Sequence, residues 1–253
     1  MPGSLRHIED GALRVLSTLG VKRPLRRLVE ATPAAALLRQ RAIRNRPRLV
    51  REAELLEVYT AALTMLAPSG EIGDYLEFGV YNGTALATMH KALRATGHAR
   101  SRLIGFDSFE GLPAFAATDS GGHWSPGEFA SSLEFATRVL DYERVDWSRV
   151  TLVKGYFADT CTPEQREVLQ LRRASVVMVD CDLYQSTVEA LAFAGPVLAE
   201  RAVILFDDWY PLADRGMGER RAFEEWLAAE PGVTATEWRT FKPYGKAFLV
   251  GRR

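Results

Sequence analysis

Hydrophobic spacing along the chain changes period near residue 70. Before that point apolar residues recur at helical intervals. Leu5, Ile8, Leu13, Leu16 and Leu19 fall about one turn apart, with Gly20 to stop that helix and Pro24 to start the next. Pro33 starts a third helix, over residues 34–44. Leu55, Val58, Tyr59, Ala62, Leu63 and Leu66 share one face of a fourth, over residues 52–66, which Ala67-Pro68-Ser69-Gly70 ends. Beyond it, short apolar runs alternate with helical patterns. The predicted strands are residues 74–79, 102–107, 150–154, 175–180 and 202–207. The predicted helices are residues 84–95, 128–140, 163–171 (capped by Thr162), 187–198 and 218–229. Residues 108–127 read as a loop rich in Gly, Pro, Ser and aromatics. Residues 234–241 and 246–251 read as strands joined by the turn Lys242-Pro243-Tyr244-Gly245, an antiparallel hairpin.

Strand-helix alternation with nearly continuous apolar strands predicts a parallel sheet covered on both faces. Five such units and a hairpin predict a Rossmann-like α/β fold with a seven-stranded, mostly parallel sheet. A helical N-terminal extension or lid over residues 1–66 would precede the main domain, residues 67–253. The sequence shows no internal repeat and no low-complexity linker.

Charge changes this picture only locally. The formal net charge is zero, so nothing overall points to nucleic acid. Residues 1–50, however, hold eleven Lys/Arg against three Asp/Glu, and the rest of the chain carries the matching acidic excess. A basic helical cap on an acidic body is the plain reading. An anionic membrane surface or an anionic substrate are the sharper ones. No apolar run approaches the roughly 20 residues of a membrane span, and no signal-peptide pattern is visible. Cys161 and Cys181 form neither a disulfide framework nor a metal spacing. A cytoplasmic location is expected.

The candidate chemistry lies where predicted strands end, because open α/β sheets bind ligands at the carboxyl ends of their strands. Residues 73–83 read strand, glycine turn, helix, with Glu77 at the strand end and Gly79 and Gly83 bracketing the turn. The turn E-F-G-V-Y-N-G carries no Lys and is not G-x-G-x-x-G. Glu77 would repel a pyrophosphate and suit an ammonium, as on the amino-acid tail of S-adenosylmethionine. An NAD-dependent reductase is the weaker reading. Asp107 ends the second strand, where an acid accepts hydrogen bonds from ribose hydroxyls. Gly155-Tyr156-Phe157 follows the third strand, Asp180 and Asp182 the fourth, Asp207 and Asp208 the fifth. If the fourth and fifth strands are neighbours, Asp180, Asp207 and Asp208 can share one hard divalent ion, with Mg²⁺ the first choice. Asp180 first, Asp182 second, and His123 in the loop G-G-H-W-S-P-G are candidate general bases. Trp124, Tyr184 and Trp209 are candidates to line an acceptor pocket.

These segments resemble the macrocin O-methyltransferase-type (TylF-like) family of class I methyltransferases. The resemblance runs through Glu77 to Gly83, Asp107-Ser108-Phe109-Glu110-Gly111-Leu112-Pro113, and Gly155 to Thr160. It continues through Asp180-Cys181-Asp182-Leu183-Tyr184-Gln185-Ser186-Thr187 and Asp207-Asp208-Trp209, in the family's order. It implies S-adenosylmethionine as methyl donor and Mg²⁺-dependent O-methylation, usually of a sugar hydroxyl on a natural product. By resemblance, Asp180, Asp207 and Asp208 would be the metal ligands. Glu77, Gly79, Asp107, Ser108 and Asp180 would hold the cofactor, together with the turn Tyr81, Asn82, Gly83 and Thr84. Tyr156 or Phe157 would lie near the adenine. Cys181 replaces the usual glycine, Gln185 the usual glutamate, and Asn82 a frequent arginine. Residues 1–43 match nothing in the family and would form a lid or a subunit contact in a homo-oligomer. The alternatives are N- or C-methylation on the same fold, and a noncatalytic partner protein that binds through its basic N-terminus.

Overall fold

The alternation after residue 70 builds one seven-stranded sheet. The computed structural model describes residues 33–47 and 51–252. They fall into two units, Met1–Pro47 and Arg48–Arg253. The described part of the first holds helix α1 (Pro33–Arg44), whose last turn carries Arg41 and Arg44. The helices expected around Leu5 to Leu19 and after Pro24 lie outside the described residues.

The second unit begins with α2 (Glu52–Leu66). The strands are β1 (Asp74–Phe78), β2 (Leu103–Asp107), β3 (Val150–Lys154), β4 (Ala174–Val179), β5 (Leu198–Phe206), β6 (Val233–Phe241) and β7 (Gly245–Arg252). Between them run α3 (Thr84–Ala95), α4 (Ala116–Asp119), α5 (Leu133–Tyr142), α6 (Phe157–Thr160), α7 (Pro163–Val168), α8 (Tyr184–Ala194) and α9 (Gly218–Ala229). The sheet order is β3-β2-β1-β4-β5-β7-β6. The first five strands are parallel, and β7 inserts antiparallel between β5 and β6. No helix of the described residues is long and apolar enough to cross a membrane.

Period-2 alternation divides the strand residues between two cores. Tyr75, Val176, Met178, Val203 and Leu205 face Leu55, Tyr59 and Leu63 of α2 and Leu86 and Met89 of α3. Leu76, Phe78, Ile104, Phe106, Val179 and Phe206 face Leu191 and Phe193 of α8 and Phe223 of α9. Each such burial stabilises by about 1.5–3 kcal/mol, and a one-residue slip would exchange the two faces, so the register is firmly set. Because α2 contributes Leu55, Tyr59 and Leu63 to this core, it belongs to the second unit. The division falls at Pro47, not at residue 66.

Most element boundaries agree with the spacing, but the helix expected over 163–171 ends at Val168 and two others shift. The helix expected over 128–140 starts at Leu133, where the Ser132 hydroxyl accepts from the Phe135 N–H at 3.1 Å. The helix expected over 187–198 runs instead from Tyr184 to Ala194. Its start is set by a residue distant in sequence. The Asp119 carboxylate accepts from the Tyr184 and Gln185 N–H groups at 2.8 and 2.9 Å. Its end is set by Gly195-Pro196, and β5 begins at once with Leu198, four residues before its expected start.

Candidate active site

The sheet ladder continues one residue past the strand ends. The Gly79 N–H donates to Phe106 O at 2.9 Å, Asp180 N–H to Phe78 O at 2.8 Å, and Asp207 N–H to Val179 O at 2.9 Å. These bonds set Asp107, Gly79, Asp180 and Asp207 in one row along the carboxyl edge. A cavity of about 450 Å³ opens there, lined by all four, a volume suited to a small molecule.

The glycine turn is held from two sides. Gly79 has φ 98°, and a Cβ there would stand 1.7 Å from the Asp180 carbonyl oxygen. Only glycine fits, both for the backbone angle and for the close approach. The Asp107 carboxylate accepts the Tyr81 N–H on Oδ2 at 2.7 Å and the Phe109 N–H on Oδ1 at 2.6 Å. It therefore clips the turn after β1 to the turn after β2. Asn82 Oδ1 accepts the Thr84 N–H and hydroxyl at 3.2 and 2.6 Å as α3 starts after Gly83. Ser108 is occupied in its own turn, donating to Gly111 O at 2.8 Å and accepting from the Glu110 N–H at 3.0 Å. Tyr81, Asn82, Thr84, Ser108, Tyr156 and Phe157 all line the cavity.

Glu77 stands elsewhere than expected. It is an interior residue of β1, paired with Gly105 and Met178, fully buried, and not part of the cavity lining. Its Oε2 accepts from the Tyr75 hydroxyl at 2.5 Å, and Tyr75 in turn meets the Tyr59 hydroxyl at 2.8 Å. Oε1 has no hydrogen bond among the described residues. Burial, opposed by the Tyr75 bond, pushes its pKa up to about 8.

The acidic cluster forms because β4 and β5 are neighbours. Asp180, Asp207 and Asp208 bring carboxylate oxygens within 4.8 Å of one another. Burial, then the Asp207 charge, raises the Asp180 pKa, and the same two causes push Asp208 up to about 6. Asp182 joins them from a left-handed backbone at φ 63°, with its pKa raised by burial and then by Asp208. Two further side chains complete the cluster. Glu219, at the start of α9 and fully buried, accepts the Cys181 N–H at 3.3 Å and the Asp208 N–H at 3.0 Å, bracing both acidic loops. Lys242, in the turn between β6 and β7, places its ammonium 2.5 and 2.7 Å from the two oxygens of Asp207. Burial alone would lower the lysine pKa, but Asp207 and Asp180 more than offset it and hold the ammonium above its ordinary range. A donor set of carboxylates that has drawn in a buried cation fits a hard divalent ion by its chemistry.

A sequence profile described as Macrocin-O-methyltransferase (TylF) matches residues 50–230, more than half of the chain. The chain belongs to this family. Family membership agrees with the fold, since the O-methyltransferase NovP superposes with a TM-score of 0.61 at 22% identity, covering 79% of each chain. The calicheamicin methyltransferase CalS11 also gives 0.61, at 21% identity over 87% of this chain and 93% of its own. The chain is 31% identical over 152 residues to 8-demethyl-8-(2,3-dimethoxy-alpha-L-rhamnosyl)-tetracenomycin-C 4'-O-methyltransferase of Streptomyces olivaceus, covering 58% of this chain and 56% of that one. It is 30% identical over 145 residues to demethyldecarbamoylnovobiocin O-methyltransferase of Streptomyces niveus, covering 54% and 53%. The chain thus matches about half the length of these curated relatives.

Within this macrocin-O-methyltransferase fold, Gly83 packs against Leu140 and, like Glu77, stands apart from the cavity lining, as do three more predicted site residues. Trp209 is 5% exposed and packs in an aromatic cluster with Phe206, Phe223 and Phe248, because the residue after Asp208 turns back into the core. Tyr184 donates its hydroxyl to Glu225 at 2.5 Å beneath the Arg221 guanidinium, on the outer side of α8. His123 is exposed, with its ring 4.4 Å from that of Trp124. Trp124 does line the cavity, and its Nε1–H is buried without a hydrogen bond among the described residues. Sequence reasoning missed Lys242 and Glu219. The hairpin held the signal for the first, since antiparallel β7 beside β5 returns the 242–245 turn to the carboxyl edge.

Proposed function

We propose that this protein is an S-adenosylmethionine-dependent O-methyltransferase acting on a hydroxyl of a glycosylated small molecule, with a divalent ion, Mg²⁺ first, at Asp180, Asp207 and Asp208. The observation that carries this reading is the row Asp107–Gly79–Asp180–Asp207 along one cavity in a chain of the macrocin-O-methyltransferase family. The relatives named as methyltransferases of a rhamnosyl-tetracenomycin and of a novobiocin precursor support a sugar hydroxyl as acceptor.

The cavity suits the methyl donor. The bare Gly79 backbone leaves room beside Asp180, Tyr156 and Phe157 offer aromatic faces for an adenine, and Asp107 retains lone pairs for ribose hydroxyls. When bound, S-adenosylmethionine supplies an electrophilic methyl group, and the divalent ion lowers the pKa of an acceptor hydroxyl. The chain's own residues fix the rest. Asp180, shared between the donor side of the row and the acidic cluster, sets the distance between methyl and hydroxyl. Asp180 or Asp182 takes the acceptor proton. Phe115, Trp124 and Phe129 exclude water on the side of the 108–127 loop.

The test is methyl transfer from radiolabelled S-adenosylmethionine to a panel of rhamnosylated aglycones, with and without EDTA. Labelled product that disappears on chelation and returns with Mg²⁺ is expected. Transfer indifferent to EDTA removes the metal role, and transfer only to amines or carbons replaces the acceptor class.

A further inference from the structure

We propose that the Lys242 ammonium is a built-in counter-cation that competes with the divalent ion for Asp207, so that loading the metal requires its release. This rests on the metal reading above and adds a residue that the reading does not use.

The geometry is unlike that of the other ion pairs. Lys242 and Asp207 have side chains only 8% and 12% exposed, and both carboxylate oxygens are engaged. Lys91, Arg102, Arg149 and Lys246 instead form pairs in which one partner is well exposed to solvent. Exposed pairs of that kind contribute little, whereas a buried charge must be compensated. Without a cation, Asp180, Asp207 and Asp208 would hold carboxylate oxygens within 4.8 Å of one another, with Asp182 and Glu219 near enough to add their charge. Lys242 supplies a single positive charge there. A divalent ion supplies two and needs an Asp207 oxygen that the ammonium already holds.

The lysine is also placed so that it can leave. It sits in the three-residue hairpin turn between β6 and β7 rather than inside a strand, and Pro243 and Tyr244 beside it line the cavity. Its backbone N–H is held by the Glu54 carboxylate of α2, which anchors the turn while leaving the side chain to swing. The alternative is a purely structural salt bridge that coexists with the metal.

The experiment is calorimetric titration of Mn²⁺ into the full-length wild-type chain and the Lys242→Met and Lys246→Met variants. Lys246 pairs with Glu237 of β6 rather than with an acid of the cluster, so its variant controls for a general change of charge. Binding at least about tenfold tighter in Lys242→Met, with Lys246→Met like wild type, is expected. Equal affinity in wild type and Lys242→Met overturns the competition and leaves the metal reading standing. Equal tightening in both variants also overturns it. Absence of binding to every protein overturns the metal reading as well. Should Lys242→Met fail to fold, Lys242→Gln, which keeps a hydrogen-bond donor without the charge, carries the same expectation.

Discussion

A methyl group on Gly79 would lie 1.7 Å from the carbonyl oxygen of Asp180. The two residues thus join the glycine turn after β1 to the acidic loop after β4, and neither segment can move without the other. Gly79→Ala is expected to fail twice. The φ of 98° strains any other residue by about 1–3 kcal/mol, and the contact forces the turn off the row. A lower melting temperature together with lost S-adenosylmethionine binding is expected. Wild-type values of both would mean that the turn is not fixed by this contact.

Glu77 links stability to pH. Its folded pKa of about 8 lies above the unfolded 4.5, so the folded state binds more protons between those values. Its stabilising effect is therefore complete below about pH 4.5 and is lost as pH rises through about 8. Glu77→Gln removes this dependence. Denaturant midpoints measured in EDTA at pH 5 and pH 8 should fall more steeply in wild type than in the variant, and equal slopes would contradict the assignment.

Glu219 braces both acidic loops through two backbone N–H groups. Glu219→Ala strands those buried donors, at about 1–3 kcal/mol each, and should weaken Mn²⁺ binding. Glu219→Gln keeps one acceptor and should retain more of the affinity. Mn²⁺ titration of the two variants orders them, and an alanine variant binding as well as the glutamine variant would deny Glu219 a positioning role.

Trp209 and Trp124 should part company. Trp209→Ala hollows the aromatic cluster with Phe206, Phe223 and Phe248, and should cost about 3–5 kcal/mol of stability. Trp124→Ala removes a cavity wall and should raise the acceptor KM with a smaller stability loss. Chemical denaturation alongside steady-state kinetics separates them. Equal stability losses would place both side chains in the core.

The sheet was legible because strand residues buried on both faces leave continuous apolar runs, and the hairpin because Lys242-Pro243-Tyr244-Gly245 interrupts two of them. The row of acids was legible because strand ends are sites by topology. What stayed hidden was long-range. Asp119 caps α8 from 65 residues away, so the helix began before its periodicity did. Trp209 and Tyr184 sit in motif segments near the edge, but side-chain direction there depends on which way each loop turns after its acid. Glu77 lies one pleat inside β1, a difference of two residues from Gly79 that moves it from the cavity to the buried Tyr75–Tyr59 pair. Lys242 stands in the turn that the hairpin pattern marks, but it reaches Asp207 because β7 inserts between β5 and β6, a strand order that the turn alone does not give.

The most direct test of the whole assignment is a calorimetric titration of S-adenosylmethionine into the purified wild-type chain. One-to-one binding is predicted, at a Kd well below about 1 mM. No binding heat up to that concentration would contradict the cofactor site on which every step from Gly79 to Asp207 depends.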